Sequence, residues 1–214
     1  MLHKNVRKNR MNFRKNPESL FTISDFYGII FSEIGRGVFV MASRQVLETV
    51  RKYDGKILSV RVDTVILEDG APAPREVVEH KPAVCVLPVD RKGNVYLVRQ
   101  YRHAVGEYLL EAPAGLMEEG ETPEEAALRE LREETGACGS VTFVGDYFPT
   151  PGYCEELIHL FLADVESFGE TDPDEDEFLQ TEVLDFAEFY QMARDGRIRD
   201  GKTVALALRA DRNH

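Results

Sequence analysis

The most chemically distinctive part of the chain is a dense run of carboxylates between two glycines, Gly115 and Gly136. At about 100° of rotation per residue, Glu130, Glu133 and Glu134 fall on one face of a helix. Such closely spaced carboxylates repel one another, so we expect a cation between them. Hard oxygen ligands favour Mg²⁺, or Mn²⁺, over zinc. The pattern predicts a divalent-metal site, and a solvated acidic helix face is the alternative.

Signals at both ends delimit the helix that carries these carboxylates. Thr122, Pro123 and Glu125 form the pattern of a capping box with proline at the first helical position. At the other end, Gly136 suits a left-handed cap. We therefore expect a helix between Thr122 and Gly136.

Two further features of this helix concern how it is held. Arg129 stands one turn before Glu133, so an ion pair can fix the rotamer of that carboxylate. Leu128 and Leu131 are expected on the side opposite the carboxylates, where they anchor the helix in a core.

The rest of the chain predicts an α/β fold with a mixed sheet covered by helices on both sides. Strand-forming residues bounded by turn signals mark most of the segments. Strands are expected at 57–66, 75–80, 83–87, 95–101, 141–147, 157–163 and 183–184, and further helices at 186–194 and 203–209. The acidic run 171–177 is expected to be an exposed loop.

Composition narrows the class of protein. A chain of 214 residues is long enough for one mid-sized domain and an extension. The net charge of −12 argues against a nucleic-acid partner, and no apolar run approaches the roughly 18–20 residues of a membrane span. Three cysteines without close pairing fit neither a disulfide framework nor a zinc site, which predicts a cytoplasmic protein.

The N-terminal region differs from the remainder. Seven Lys or Arg against three Asp or Glu give residues 1–40 a net charge of +4, and they show no clear period. We interpret 1–40 as a flexible or non-native extension, with Met41 as the biological start, and a targeting or docking arm as the alternative. The domains expected after it are an N-terminal β subdomain at 41–80 and a main domain at 81–214.

The stretch from Gly115 to Ala137 resembles the Nudix box, GX5EX7REUXEEXGU, in which U is a bulky aliphatic residue. The fixed positions are matched by Gly115, Glu121, Arg129, Glu130, Leu131, Glu133, Glu134 and Gly136. The one departure is Ala137, which is small where a larger aliphatic is usual. The resemblance implies a Nudix-type α/β/α sandwich with an N-terminal antiparallel hairpin subdomain, a divalent metal, and hydrolysis of a nucleoside diphosphate linked to another moiety.

Segments outside the box are similar to ADP-ribose pyrophosphatases, namely 98–102, 111–115, 147–163 and 174–177, with Pro151 at a marker position. This implies hydrolysis of the diphosphate of ADP-ribose to AMP and ribose 5-phosphate. Another nucleotide sugar or conjugate is the alternative substrate. A non-catalytic module that senses ADP-ribose is a third interpretation, and the complete box argues against it.

The resemblance also implies roles for individual residues. The Ala114 carbonyl and the carboxylates of Glu130, Glu134 and Glu177 would bind about two to three Mg²⁺ ions, with Mn²⁺ as an alternative. Glu175 would be the catalytic base, with Asp174, Asp176 and Glu177 as competitors. Glu133 would be a further ligand or would order the water shell, and Arg129 completes the catalytic group.

Substrate contacts follow in the same way. Arg102 would pair with a phosphate, bidentately if geometry allows, and Gly115 and Pro151 would line the substrate site. Arg75 and Glu76 would reach the partner's substrate, which implies a homodimer with a shared active site. From the residues alone, a surface arginine at Arg102 and an edge-hairpin salt bridge at Arg75 and Glu76 remain the alternatives.

Overall fold

The computed structural model describes residues 29–33, 38–42, 45–171 and 179–210. The chain divides into two compact units, Met1–Gln45 and Val46–His214. In the first, strands β1 (Ile29–Glu33) and β2 (Val38–Ala42) form an antiparallel pair. No element was predicted here, because the apolar residues lack the alternation typical of a half-buried strand. The interpretation of residues 1–40 as an extension stays a prediction.

The second unit begins with a three-stranded antiparallel sheet. Its strands follow chain order as β3 (Val46–Asp54), β4 (Leu58–Ile66) and β5 (Pro72–His80). The β4–β5 hairpin and its turn were predicted, and Gly70 takes a positive φ of 86° there. β3 was missed, because charged residues interrupt its apolar positions and every side chain along it is exposed.

A mixed sheet forms the centre of this unit, as the sequence predicts. Its main order is β10-β11-β6-β7-β12, in which β11 and β6 run parallel, whereas β8 pairs with β7 and β9 with β6. The strands are β6 (Ala83–Val89), β7 (Asn94–Arg102), β8 (Glu107–Glu111), β9 (Ala114–Leu116), β10 (Ala137–Tyr147), β11 (Ile158–Phe168) and β12 (Gln180–Asp185).

Three helices cover the two faces of the mixed sheet. They are α1 (Pro123–Thr135), α2 (Phe186–Arg194) and α3 (Gly201–Ala210). Along β6, Val84 and Val86 belong to the core under α1, whereas Cys85 and Leu87 belong to the core under α2 and α3. Side chains alternate across a strand, so β6 contributes to both cores. This arrangement confirms the predicted α/β/α sandwich. Among the described residues, no helix combines the length and apolar character needed to cross a membrane.

Helix α1 has the predicted ends but a different buried face. The capping box is present, and Gly136 closes the helix at φ 69°. Leu131 is fully buried, but Leu128 is 37% exposed, so the prediction that Leu128 anchors the helix is wrong. Glu130 and Glu134 lie on the buried side with Leu131, not opposite it. A separation of three residues places Leu131 within about 60° of Glu134, which explains the shared face.

Candidate functional site

A cleft of about 1010 Å³ lies where α1, the mixed sheet, the start of α3 and the three-stranded sheet meet. Its walls come from separate parts of the second unit. The lining residues include Arg129, Glu130 and Glu133 on α1, Arg102 on β7, Ala114 and Gly115 on β9, and Lys202 on α3. Lys56, His80 and Lys81 line the cleft from the three-stranded sheet and its connections. The cleft is therefore enclosed by elements that are far apart in the chain.

The carboxylates of α1 press against strand β9. Glu130 and Glu134 are only 8% and 4% exposed, and the Ala114 amide donates a hydrogen bond of 3.3 Å to Glu134 Oε2. A Cβ atom on Gly115 would lie 1.9 Å from Glu130 Oε1. Any larger residue at this position would therefore displace the Glu130 carboxylate.

Arg129, on α1, forms hydrogen bonds with three carboxylates. Its guanidinium donates to both oxygens of Glu121, at 2.9 and 3.0 Å, and to Glu130 at 2.6 Å. The predicted contact with Glu133 is present at 3.1 Å. The hydrogen bonds to Glu121, and then to Glu130 and Glu133, outweigh burial and raise the pKa of Arg129. Arg129 is thus a fixed cation that orients Glu130 and Glu133.

The oxygen atoms at this position fit a divalent cation. Within the described parts of the chain, no three His, Cys, Asp or Glu side chains are grouped so as to hold an ion by themselves. Mg²⁺ is commonly bound through one or two carboxylates, with water and substrate phosphates completing its shell. The carboxylates of Glu130 and Glu134, which lie against the backbone of Gly115 and Ala114, are hard oxygen donors of this kind.

A second charged cluster lies across the cleft and was missed by the sequence analysis. Glu111, at the end of β8, is 1% exposed. Arg102 donates to it from Nε at 2.8 Å and from Nη2 at 2.7 Å, and Lys202 Nζ donates to the same carboxylate. Burial alone raises the pKa of Glu111, but the hydrogen bond from Arg102 and the charge of Lys202 outweigh burial and lower it. The sequence offered one signal for this cluster, namely that Glu111 follows apolar residues, because a glutamate buried among them needs a charged partner.

The remaining predicted residues are not gathered in this cleft. Arg75 and Glu76 are exposed on β5, and Pro151 is exposed in a turn; none of the three lines the cleft. Two hydrogen bonds to Val78 join the Pro151 loop to β5, through the Tyr153 carbonyl and the Glu155 amide. Glu175 and Glu177, the predicted base and metal contact, lie outside the described residues.

Comparison with family models identifies the class of protein. The NUDIX domain matches residues 79–207, and the nucleoside diphosphate sugar hydrolase N-terminal domain matches residues 45–78. The chain belongs to the Nudix family. It is a hydrolase of small-molecule nucleotides, and enzymes of this family generally depend on divalent metal ions.

Individual relatives carry several names. The chain is 37% identical over 161 residues to a methanol dehydrogenase activator of Bacillus methanolicus, covering 74% of this chain and 87% of that one. It is 36% identical over 155 residues to an ADP-ribose pyrophosphatase of Bacillus subtilis, covering 71% and 84%. A GDP-mannose pyrophosphatase of Pectobacterium atrosepticum is 39% identical over 147 residues, covering 64% and 76%.

The fold has a solved counterpart. A crystal structure of an ADP compounds hydrolase matches with a TM-score of 0.70 at 22% identity, covering 80% of this chain and 94% of that chain. At that identity the match supports the fold, and the family assignment rests on the sequence comparisons.

Proposed function

We propose that this Nudix hydrolase cleaves the diphosphate of ADP-ribose with water, giving AMP and ribose 5-phosphate. The observation that carries the proposal is the buried pair Glu130 and Glu134, packed against Ala114 and Gly115 at a cleft of about 1010 Å³. A cleft of this volume suits a dinucleotide-sized ligand. The Bacillus subtilis relative named for this activity supports the choice of substrate.

The metal is proposed to be Mg²⁺, with Mn²⁺ as an alternative and about two to three ions per site. Its ligands would be the Ala114 carbonyl, Glu130 and Glu134, with Glu177 as a further contact. Bound cations of this kind neutralise a diphosphate and lower the pKa of a coordinated water. The carboxylates of Glu130 and Glu134 thereby become compatible with an anionic substrate.

The protein's own groups have separate parts in the proposed reaction. Glu175 removes a proton from the attacking water, and Glu133 orders the other water molecules of the metal's shell. Arg129 holds the carboxylates of Glu130 and Glu133 in position. Water adds to one phosphorus of the anhydride while the bridging oxygen leaves with the other, so that two phosphate monoesters are formed.

Substrate binding is proposed to use Arg102 and residues from both subunits of a homodimer. Glu111 occupies the Nε and Nη2 edge of Arg102, which leaves the edge with Nη1 for a phosphate. Gly115 and Pro151 are proposed to line the substrate, and Arg75 and Glu76 to reach the partner's site.

The proposed dimer surface is the three-stranded sheet within the β subdomain at 41–80. Several apolar side chains on β3 are exposed, with Val46, Leu47 and Tyr53 each more than half accessible. These exposed apolar side chains are the ones that a partner subunit would cover. We also propose a cytoplasmic location for the protein. The three cysteines support it, because all of them are free thiols.

The function is tested with a hydrolysis panel of ADP-ribose, GDP-mannose, UDP-glucose and NADH in the presence of Mg²⁺. We expect ADP-ribose to have the highest kcat/KM. GDP-mannose is the second candidate because the Pectobacterium relative carries that name, and equal or faster turnover of a hexose nucleotide would reject the proposed substrate.

The shared active site has its own test. Arg75→Ala and Glu134→Gln are expected to be inactive as separate homodimers. Mixing and refolding them together should restore part of the activity, because a mixed dimer contains one site free of both changes. Activity that stays at the level of the parents would refute the shared site.

A further inference from the structure

Lys202 has no role in the reaction proposed above, yet it lies inside the cleft wall. Its Nζ donates to Glu111 and, at 2.9 Å, to Asp200 Oδ1. The side chains of Lys202, Asp200 and Glu111 are 12%, 14% and 2% exposed. Lys202 therefore separates two carboxylates that would otherwise face each other with little water between them.

The first turn of α3 also holds the end of β8, which precedes the proposed metal ligands along the chain. Asp200 Oδ2 accepts from the Thr203 amide at 2.9 Å, which caps the start of α3. Thr203 Oγ1 in turn accepts a hydrogen bond of 2.8 Å from the Ala112 amide. Glu111 and Ala112 are thus both held by α3, one through its side chain and the other through its backbone.

Arg102 is the group that this arrangement leaves available to the cleft. Its guanidinium is 39% exposed and shares the Glu111 carboxylate with Lys202. With Lys202 paired to Asp200, Arg102 bonds the Glu111 carboxylate through Nε and Nη2 and lines the cleft. Without Lys202, Arg102 would be the remaining cation beside both Glu111 and Asp200, and would turn away from the cleft to meet them.

We propose that Lys202 is a positioning residue for substrate binding, which acts by holding Glu111 and Asp200 so that Arg102 presents its free edge to a substrate phosphate. The inference rests on the proposed function for the identity of the substrate. It adds the start of α3, which lies 66 residues after the end of α1, to the residues that determine affinity.

The main experiment is a double-mutant cycle with the variants Lys202→Met, Arg102→Met and the combination of the two. Lys202→Met should raise KM roughly tenfold with kcat nearly unchanged, because it weakens a contact made equally to bound substrate and transition state. In the Arg102→Met background, Lys202→Met should have no further effect on KM. A merely structural lysine would raise KM equally in both backgrounds, which would overturn the proposal.

A compensating change and a matched control separate this role from a loss of folding. Asp200→Asn keeps a helix-capping side chain and removes the charge that Lys202 neutralises, so Asp200→Asn with Lys202→Met should return KM most of the way to the wild-type value. Arg199 pairs with Glu107 on the outside of the same contact between β8 and α3. Arg199→Met should leave KM unchanged, and thermal unfolding is followed for every variant.

A binding measurement separates failure of this inference from failure of the proposed function. The affinity of adenosine 5′-(α,β-methylene)diphosphate is measured by calorimetry in the presence of Mg²⁺, since this probe has no cleavable anhydride. Lys202→Met should weaken its binding roughly tenfold, whichever nucleotide the wild-type enzyme hydrolyses. Unchanged affinity, within about twofold, would refute the positioning role even if ADP-ribose proved to be the substrate.

Discussion

Two arginine clusters border the same cleft and are built in different ways. Arg129 takes its carboxylate partners from α1 and from Glu121, eight residues away. Arg102 binds Glu111, which depends on Lys202, 91 residues further along the chain. The first cluster is determined mainly by helical spacing. In the second cluster, Arg102 and Glu111 meet across the β7–β8 hairpin, and the contact with Lys202 requires α3 to pack beside that hairpin.

The two clusters also differ in burial. In the Arg129 cluster, the side chains of Glu130, Glu121 and Glu133 are 10%, 13% and 36% exposed. In the other cluster, Glu111 is 2% exposed. Buried charges depend more strongly on their partners, since water cannot replace a lost contact. We therefore expect changes around Arg129 to reduce activity most, and changes around Glu111 to reduce stability most.

The largest expected effect is a fall in kcat when a carboxylate of α1 is changed. Glu134→Gln removes a proposed metal ligand while keeping the shape of the side chain, and should lower kcat about 10³-fold in a metal-driven reaction. Mn²⁺ affinity, measured by calorimetry, should fall as well. Glu124→Gln, an exposed change on the same helix, is the matched control. A Glu134→Gln rate within about threefold of wild type would contradict the ligand role.

The next effect concerns the contact between β9 and α1. Gly115→Ala places a Cβ 1.9 Å from Glu130 Oε1, so the carboxylate must move. Displacing a catalytic group by about 1 Å can cost 10²-fold in rate, and we expect a loss of that size in kcat. Gly169→Ala is the control, because its Cβ would come no nearer than 3.9 Å to Gly136 O. Equal activities of the two variants would show that Glu130 tolerates the shift.

The third prediction compares the clusters directly through stability. Glu111→Gln leaves Arg102 without its buried counter-charge and Lys202 with Asp200 alone. It should lower the free energy of unfolding by about 3 kcal/mol, near the low end for a buried pair because Arg102 is partly exposed. Glu121→Gln should lower it by about 1 kcal/mol, since Arg129 keeps two other partners. Urea unfolding measures both. Equal losses would remove the distinction between the clusters.

The smallest effect is the pH dependence of the Arg129 cluster. The hydrogen bond from Arg129 lowers the pKa of Glu121 below its usual 4.5. A carboxylate with a lowered pKa contributes its stability above the unfolded value and loses it as the pH falls through the folded value. The stability gap between wild type and Glu121→Gln should therefore narrow between pH 5 and pH 3. A gap that stays constant over this range would show that the pair does not stabilise the fold.

Much of the fold could be predicted because its signals are local. The β4–β5 hairpin, five of the seven strands of the mixed sheet and helix α2 follow from alternation, turn residues and caps that operate within a few residues. The short strands β8 and β9 were not predicted. Strand β3 could not be predicted in this way. Its nine side chains are all exposed, so no pattern of buried and exposed positions distinguishes it.

The site was predictable in part for the same reason. The capping box and the ion pair between Arg129 and Glu133 follow from spacing within one short stretch. The close approach of Gly115 to Glu130 is a contact between β9 and α1 that only the structure shows. The role of Leu128 was misjudged, because a helical period states which residues share a face but not which face meets the sheet. Glu175 lies outside the described residues, so its assignment as the base stays a prediction.

The class of chemistry could be inferred from the residues alone, because a helix fixes the relative directions of residues three and four apart whatever surrounds it. The burial of Glu130 and Glu134 with Leu131, and the position of Glu111 between Arg102 and Lys202, became visible only in the folded chain. Those contacts join segments that are distant along the chain. They depend on how the helices pack against the sheet, and no local pattern encodes that packing.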